Sequence, residues 1–165
     1  MANKRILVTG ASSGLGRQIA ISCAAAGATM IICGRNAERL QETLSQLAGS
    51  GHVTILGDLT ADEAITATVE QAGNIDGIVH CTGISIPMPA RMAKREFIER
   101  LYNINVFTPQ LLTNQLLAKN KINKDGAILF MSSTAAVRGV HGTSIYAGTK
   151  AALIAAARCL ALETA

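Results

Sequence analysis

Short apolar runs alternate with longer amphipathic stretches from one end of the chain to the other. The runs Arg5–Val8, Thr29–Cys33, Val53–Leu56, Gly77–His80 and Ala127–Met131 are short and nearly continuous in apolar side chains. That is the pattern of strands buried on both faces of a parallel sheet. Between them, helical spacing predicts helices near Leu15–Ala26, Ala37–Ala48, Ala61–Gly73 and Arg95–Asn120, with a last one from Ser144. Asn36 is a candidate N-cap for the second helix and Thr60 for the third, while Gly27, Gly49 and Gly51 are candidate C-terminal stops. Pro109 lies inside the fourth helical pattern and should kink it. The alternation, free of repeats and linkers, predicts an α/β fold: one domain over residues 1–165 with a doubly wound parallel sheet. Ligands of such a sheet belong at the carboxyl ends of its strands.

Composition narrows the chemistry. Apolar residues make up 49% of the 165 and aromatics 3%, so the core must be aliphatic and alanine-rich. Cys23, Cys33, Cys81 and Cys159 show no paired spacing and sit in apolar or helical runs, which reads as small buried hydrophobes in a reducing compartment. His52, His80 and His141 share no ligand spacing either, so no metal site is expected. The net charge of +4 comes from scattered basic residues, without the clustering of a nucleic-acid footprint; an anionic cofactor accounts for it. Met-Ala-Asn-Lys-Arg leads straight into the first strand pattern, without a signal peptide. The longest apolar run, Ala151–Ala157, stops at Arg158, short of a membrane span. A cytoplasmic protein away from membranes is expected.

Val8-Thr9-Gly10-Ala11-Ser12-Ser13-Gly14-Leu15-Gly16 joins the first strand to the first helix. Glycines there let the chain turn tightly and let a pyrophosphate approach, and the helix N-terminus supplies unpaired N–H groups and positive potential. Gly10, Ser12, Ser13, Gly14, Leu15 and Gly16 are therefore candidate dinucleotide contacts. At the end of the second strand, Gly34 stands where an NAD site carries a carboxylate for the ribose, and Arg35 follows it. A guanidinium there suits a 2′-phosphate, which favours NADP over NAD; the alternative is a solvated arginine at a helix start. Near the other end, Met131-Ser132-Ser133 closes the fifth strand, and Tyr146 and Lys150 follow at i and i+4 on one helix face. A nearby ammonium favours phenolate and makes a tyrosine usable as a general acid or base.

Thr-Gly-x-x-x-Gly-x-Gly at the first loop, with a serine followed by Tyr-x-x-x-Lys, resembles the short-chain dehydrogenase/reductase family, in particular its 3-oxoacyl-carrier-protein reductases. The resemblance runs the length of the chain and implies a Rossmann-like sheet. It implies that Ser133 orients a substrate carbonyl or hydroxyl, with Ser132 the confounder, and that Tyr146 exchanges its proton. Lys150 would bind the nicotinamide ribose beside Tyr146, and Asn105 would hold a water of the proton relay. Asp58, followed by Leu59, would lie against the adenine; its other reading is a turn residue capping the next helix. Where the family carries Asn-Asn-Ala-Gly, this chain has His80-Cys81-Thr82-Gly83. Gly83 keeps the glycine, but Cys81, still a candidate cofactor contact, lacks the asparagine amide.

Family members continue past this helix with a sixth strand, a Pro-Gly segment, a substrate-covering region and a final strand. This sequence ends at Leu162-Glu163-Thr164-Ala165, still in helical pattern, so a C-terminally shortened chain is expected. Its fifth strand would then be a sheet edge, and its last helix, apolar around most of its circumference, would be buried on several sides. Self-association into a homo-oligomer follows. The implied activity is hydride transfer between NADP(H) and a small carbonyl or alcohol substrate; the alternative is a dinucleotide-binding module with weak or no turnover.

Overall fold

The computed structural model describes residues 1–164. Five parallel strands form one sheet: β1 (Arg5–Thr9), β2 (Thr29–Gly34), β3 (Val53–Leu56), β4 (Ile75–His80) and β5 (Ile122–Phe130), in the order β3-β2-β1-β4-β5. The helices are α1 (Gly14–Ala25), α2 (Ala37–Leu44), α3 (Asp62–Ala72), α4 (Arg95–Tyr102), α5 (Thr108–Ala118) and α6 (Ser144–Glu163). Alternation along the central strands sends Ile6, Val8, Met30 and Ile32 to the face covered by α1 and α2. Leu7, Ile31, Cys33 and Ile78 go to the other face, against α3 and α5. The strand order reverses between β1 and β4, so their carboxyl ends diverge and leave a crevice.

Local chemistry sets the boundaries. Asn36 is extended at φ −113° and its side chain accepts from the Arg39 amide at 2.8 Å, capping α2 as the sequence predicts. Thr60 does not cap α3; Ala61 occupies that position without a side-chain bond. Asp58 instead accepts from the Thr60 amide at 3.1 Å and its hydroxyl at 2.9 Å, an Asx turn ahead of the helix. Gly27 follows α1 at φ +89°, but α2 ends at Leu44, well before Gly49 and Gly51. β5 starts earlier than predicted, at Ile122, with a register irregularity opposite Ile75 and Gly77.

The predicted fourth helix is two helices joined by a π-helical turn, Asn103–Phe107. Pro109 has no N–H for the carbonyl of Asn105, and the Thr108 amide reaches back to Asn103, five residues away. The widened turn keeps Asn105 fully buried.

Two expectations about the surface need correction. α6 is not buried on several sides: among its residues only Thr149, Lys150 and Leu153 are buried, and Leu162 is 84% exposed. It is also long and apolar enough to cross a membrane by length and composition, with a mean hydropathy of 1.4, although it packs on α4, the π turn and β5. Cys159 on the same helix is exposed, and Cys23 and Cys81 are half-buried; only Cys33 is a fully buried cysteine.

Candidate active site

The crevice between β1 and β4 opens into a groove of about 630 Å³. Its floor is the loop after β1, where Gly10, Ser12, Ser13, Gly14, Leu15 and Gly16 all line it. Arg35 enters from the end of β2, Asp58 and Leu59 from the end of β3, and Cys81 and Gly83 from the end of β4. All eleven residues read from the sequence as cofactor contacts outside α6 therefore lie on one surface.

The glycines have separate reasons. A Cβ on Gly10 (φ +66°) would sit 2.9 Å from the backbone of Cys81 and Thr82, so a side chain there would push β1 and β4 apart. A Cβ on Gly16 would run into the carbonyl of Gly10, so this glycine lets α1 start against the strand. Ser13 caps α1 without a side-chain hydrogen bond, leaving the first helical N–H groups facing the groove. The free amides and absent Cβ atoms make a cradle that fits a pyrophosphate.

Arg17, which the sequence reading passed over, holds this loop. Its guanidinium donates to the Ser12 carbonyl at 2.7 Å, the Thr43 hydroxyl at 2.9 Å and the Glu42 carboxylate at 2.9 Å. The signal was faint: it is the one charged residue in α1. At the groove mouth, Arg35 and Asp58 pair at 3.6 Å, both side chains more than half exposed. Partial burial works against the Asp58 charge, but the Thr60 hydrogen bonds and the Arg35 guanidinium outweigh it and hold the carboxyl below its ordinary range.

Beyond Gly83 the groove meets a second cluster. The Lys150 ammonium donates to the Met131 carbonyl at 2.7 Å and lies 6.0 Å from the centroid of the Tyr146 ring. A Cβ on Gly83 would stand 3.4 Å from that ammonium and 3.3 Å from Asn105 Oδ1. Burial pushes the Lys150 pKa below the ordinary lysine value. The Ser132 hydroxyl donates to the Lys150 carbonyl at 3.0 Å, tying β5 to α6. Ser133 accepts from the Ala135 amide at 3.2 Å, which leaves its hydroxyl hydrogen available.

The Asn105 side chain is committed to protein. It accepts from the Ile84 amide at 2.8 Å and donates to the Ile84 carbonyl at 2.9 Å and the Thr149 hydroxyl at 3.1 Å. The Thr149 hydroxyl in turn donates to the Tyr146 carbonyl at 2.6 Å. Both amide hydrogens are used, so the side chain has no donor left for a water, and Pro109 has no N–H to give the Asn105 backbone carbonyl.

The His-Cys-Thr-Gly departure is compensated locally. The buried Thr9 hydroxyl accepts from the Cys81 amide at 3.2 Å and the Thr82 amide at 3.3 Å. His80 is 3% exposed, stacks on Phe130 with centroids 4.9 Å apart, and has Nε2 at 2.9 Å from the Thr113 hydroxyl. Burial lowers its pKa to about 3, so the ring is neutral. A lone histidine at the end of an apolar run carries no pattern that announces this.

The sequence profile described as short chain dehydrogenase matches residues 4–165. An L-xylulose reductase of Caenorhabditis elegans is 35% identical over 98% of this chain and 66% of its own length. A D-erythrulose reductase of Gallus gallus is 31% identical over 97% of this chain and 65% of its own. A crystal structure of a short chain dehydrogenase from Shigella flexneri superposes with a TM-score of 0.91 at 29% identity, covering 99% of this chain and 68% of that one. The chain thus spans about two thirds of the length of the curated relatives it matches.

Proposed function

The chain belongs to the short chain dehydrogenase family, and from that membership we propose that it is an NADP(H)-dependent oxidoreductase interconverting a ketone and a secondary alcohol. The observation that carries the reading is the meeting of the glycine-lined groove with the Lys150 ammonium at Gly83, one helical turn from Tyr146. Two reductases it resembles are named for L-xylulose and D-erythrulose, which agrees with a carbonyl substrate.

When bound, the dinucleotide supplies the hydride. The amides at the start of α1 hold its pyrophosphate, and Arg35 takes the 2′-phosphate. Asp58 borders the adenine, with Leu59 beside it. Lys150 contacts the ribose next to the reacting centre, its ammonium 6.0 Å from the centroid of the Tyr146 ring. Ser133 donates its free hydroxyl hydrogen to the substrate oxygen, and Tyr146 passes a proton to or from that oxygen. Asn105 holds the π turn against α6 and offers its carbonyl to a relay water. Self-association belongs to the same reading, because α6 and the β5 edge leave apolar surface uncovered.

The test is NADPH oxidation with a panel of simple ketones, beside a binding titration and the variant Tyr146→Phe. Turnover that falls by roughly 10²–10⁴ in Tyr146→Phe with NADPH affinity unchanged is the expected result. NADPH binding without turnover would reduce the chain to a dinucleotide-binding module. Turnover that survives Tyr146→Phe would remove the assigned acid–base role.

A further inference from the structure

A second cavity, of about 720 Å³, lies between the loop after β4 and the segment that runs from β5 into α6. Pro89, Ala90 and Arg91 form one wall. Residues 135–144, with Ala147, form the other. The Met88 amide donates to the Gly142 carbonyl at 2.7 Å and joins the two walls of this open groove. It borders the chemistry directly: the Ala135 amide binds Ser133, and Ala147 follows Tyr146.

The electrostatics of this cavity are one-sided. Arg91, Arg138 and His141 line it, and no aspartate or glutamate does. The five ion pairs among the described residues use Lys4, Arg17, Arg35, Arg95 and Lys119, so neither Arg91 nor Arg138 is neutralised by a carboxylate. The rest of the lining is uncharged and mostly apolar, including Val137 at 76% and Val140 at 54% exposed, with the hydroxyls of Thr143 and Ser144 beside them. Two unpaired guanidiniums beside an apolar wall form a receptor for a short carbon chain ending in an anion, since guanidinium binds carboxylate and phosphate through paired N–H donors. Neutral sugars would leave both arginines with nothing to bind.

We propose that the substrate is an anionic carbonyl compound, a keto acid or a phosphorylated ketone, whose negative group is taken by Arg91 and Arg138. The assignment rests on the reductase reading and narrows it to a substrate class. Arg91 and Arg138 act on specificity; they take no part in proton transfer.

The probes are two matched pairs, acetoacetate against its methyl ester and dihydroxyacetone phosphate against dihydroxyacetone. Each is titrated calorimetrically into the NADPH-saturated chain and assayed for turnover. At least one anion should bind about tenfold or more tighter than its neutral partner, the scale of a charge-assisted hydrogen bond, and the preference should shrink with added salt. The pair that shows the preference identifies carboxylate or phosphate as the recognised group. Arg91→Ala with Arg138→Ala should abolish the preference and leave the neutral member unchanged; Arg138→Lys should keep part of it. Both side chains are exposed, and an unchanged thermal melt shows that the fold is intact. Equal affinity for charged and neutral members, or a preference that survives the double variant, overturns the proposal. Arginine-dependent anion binding without turnover would leave an anion site but sink the reductase reading, and the substrate assignment with it. Reduction of neutral ketones without anion preference keeps the reductase reading and overturns the proposal.

Discussion

Replacing Asn105 tests whether one buried amide holds the two halves of the site together. The side chain is fully buried and makes three hydrogen bonds, two to the backbone of Ile84 and one to Thr149. In Asn105→Ala, the amide and carbonyl of Ile84 lose their partners and the Thr149 hydroxyl loses a donor. A buried polar group left unpaired costs about 1–3 kcal/mol. Ile84 is only half-buried and can recruit some water. About 3 kcal/mol is therefore expected in all, which for a chain of 165 residues lowers Tm by roughly 10 °C. Asn105→Asp separates the hydrogen bonds from the cavity. It keeps an acceptor for the Ile84 amide but sets an oxygen against the Ile84 carbonyl, which lies 2.9 Å from the native nitrogen. Burial and that carbonyl favour the protonated acid, which can donate, against the opposing pull of the Lys150 ammonium across Gly83. The folded state of this variant then binds a proton more tightly than the unfolded state, so its stability relative to Asn105→Ala rises as pH falls. Urea unfolding of the three proteins at matched pH measures both effects, with an unchanged m-value as the check on two-state behaviour. A loss below about 1 kcal/mol in Asn105→Ala, on the scale of one ordinary hydrogen bond, would refute the clamp. An aspartate variant that tracks the alanine variant at every pH would refute the donor geometry.

Other expectations concern single positions. His80 takes its proton near pH 3 in the fold against an ordinary value of 6.5, so the unfolded chain binds more protons between them. The stability His80 contributes should be complete above that ordinary value and fall as pH drops below it, by up to about 1.4 kcal/mol per pH unit; in urea melts, wild type should fall more steeply with pH than His80→Asn by that amount. Arg35→Asp should lower NADPH affinity by about tenfold or more and spare NADH, because the exposed 3.6 Å pair with Asp58 is worth no more than about 1 kcal/mol and releases the guanidinium readily. A fluorescence titration giving an unchanged ratio of the two dissociation constants would strip Arg35 of its role. Leu129, 48% exposed on the β5 edge, lines an apolar groove shared with Leu153 and Ile154 of α6. Leu129→Lys should shift sedimentation from self-associated species toward monomer, and a wild-type chain that sediments as a monomer at micromolar concentration would end that reasoning.

What the sequence made legible was whatever a residue type is forced to do. Gly10 and Gly16 occupy places where a Cβ meets backbone, so a glycine spacing can be read directly as a turn geometry. Tyr146 and Lys150 share a helix face because helices have a fixed period. Arg17 stayed hidden because two of its partners, Glu42 and Thr43, arrive from α2, and no local spacing records that meeting. The π turn was also invisible to periodicity, which does not separate a five-residue turn from the ordinary one; Pro109 marked the place but not the form. α6 misled for a different reason. An all-round apolar helix was read as a covered one, while among the described residues only one of its faces meets the rest of the chain.

The His80-Cys81-Thr82-Gly83 segment shows how a site keeps its shape when a side chain expected of it is missing. The backbone after β4 must bend away from the sheet next to the groove, and its amides must end on an acceptor. Cys81 cannot donate as an asparagine amide does. Thr9, at the end of the neighbouring strand, accepts from both Cys81 and Thr82, while His80 reaches α5 through Thr113 and stacks on Phe130 of β5. β1, β4, β5 and α5 are thereby joined at the rim where the groove meets Lys150. Gly83 can then remain bare, as the ammonium and the Asn105 amide oxygen both crowd the space a Cβ would take. The constraint that survives the sequence departure is thus the position of the backbone beside Lys150, and it is met by hydrogen bonds to Thr9 of β1 and Thr113 of α5 and by stacking on Phe130 of β5.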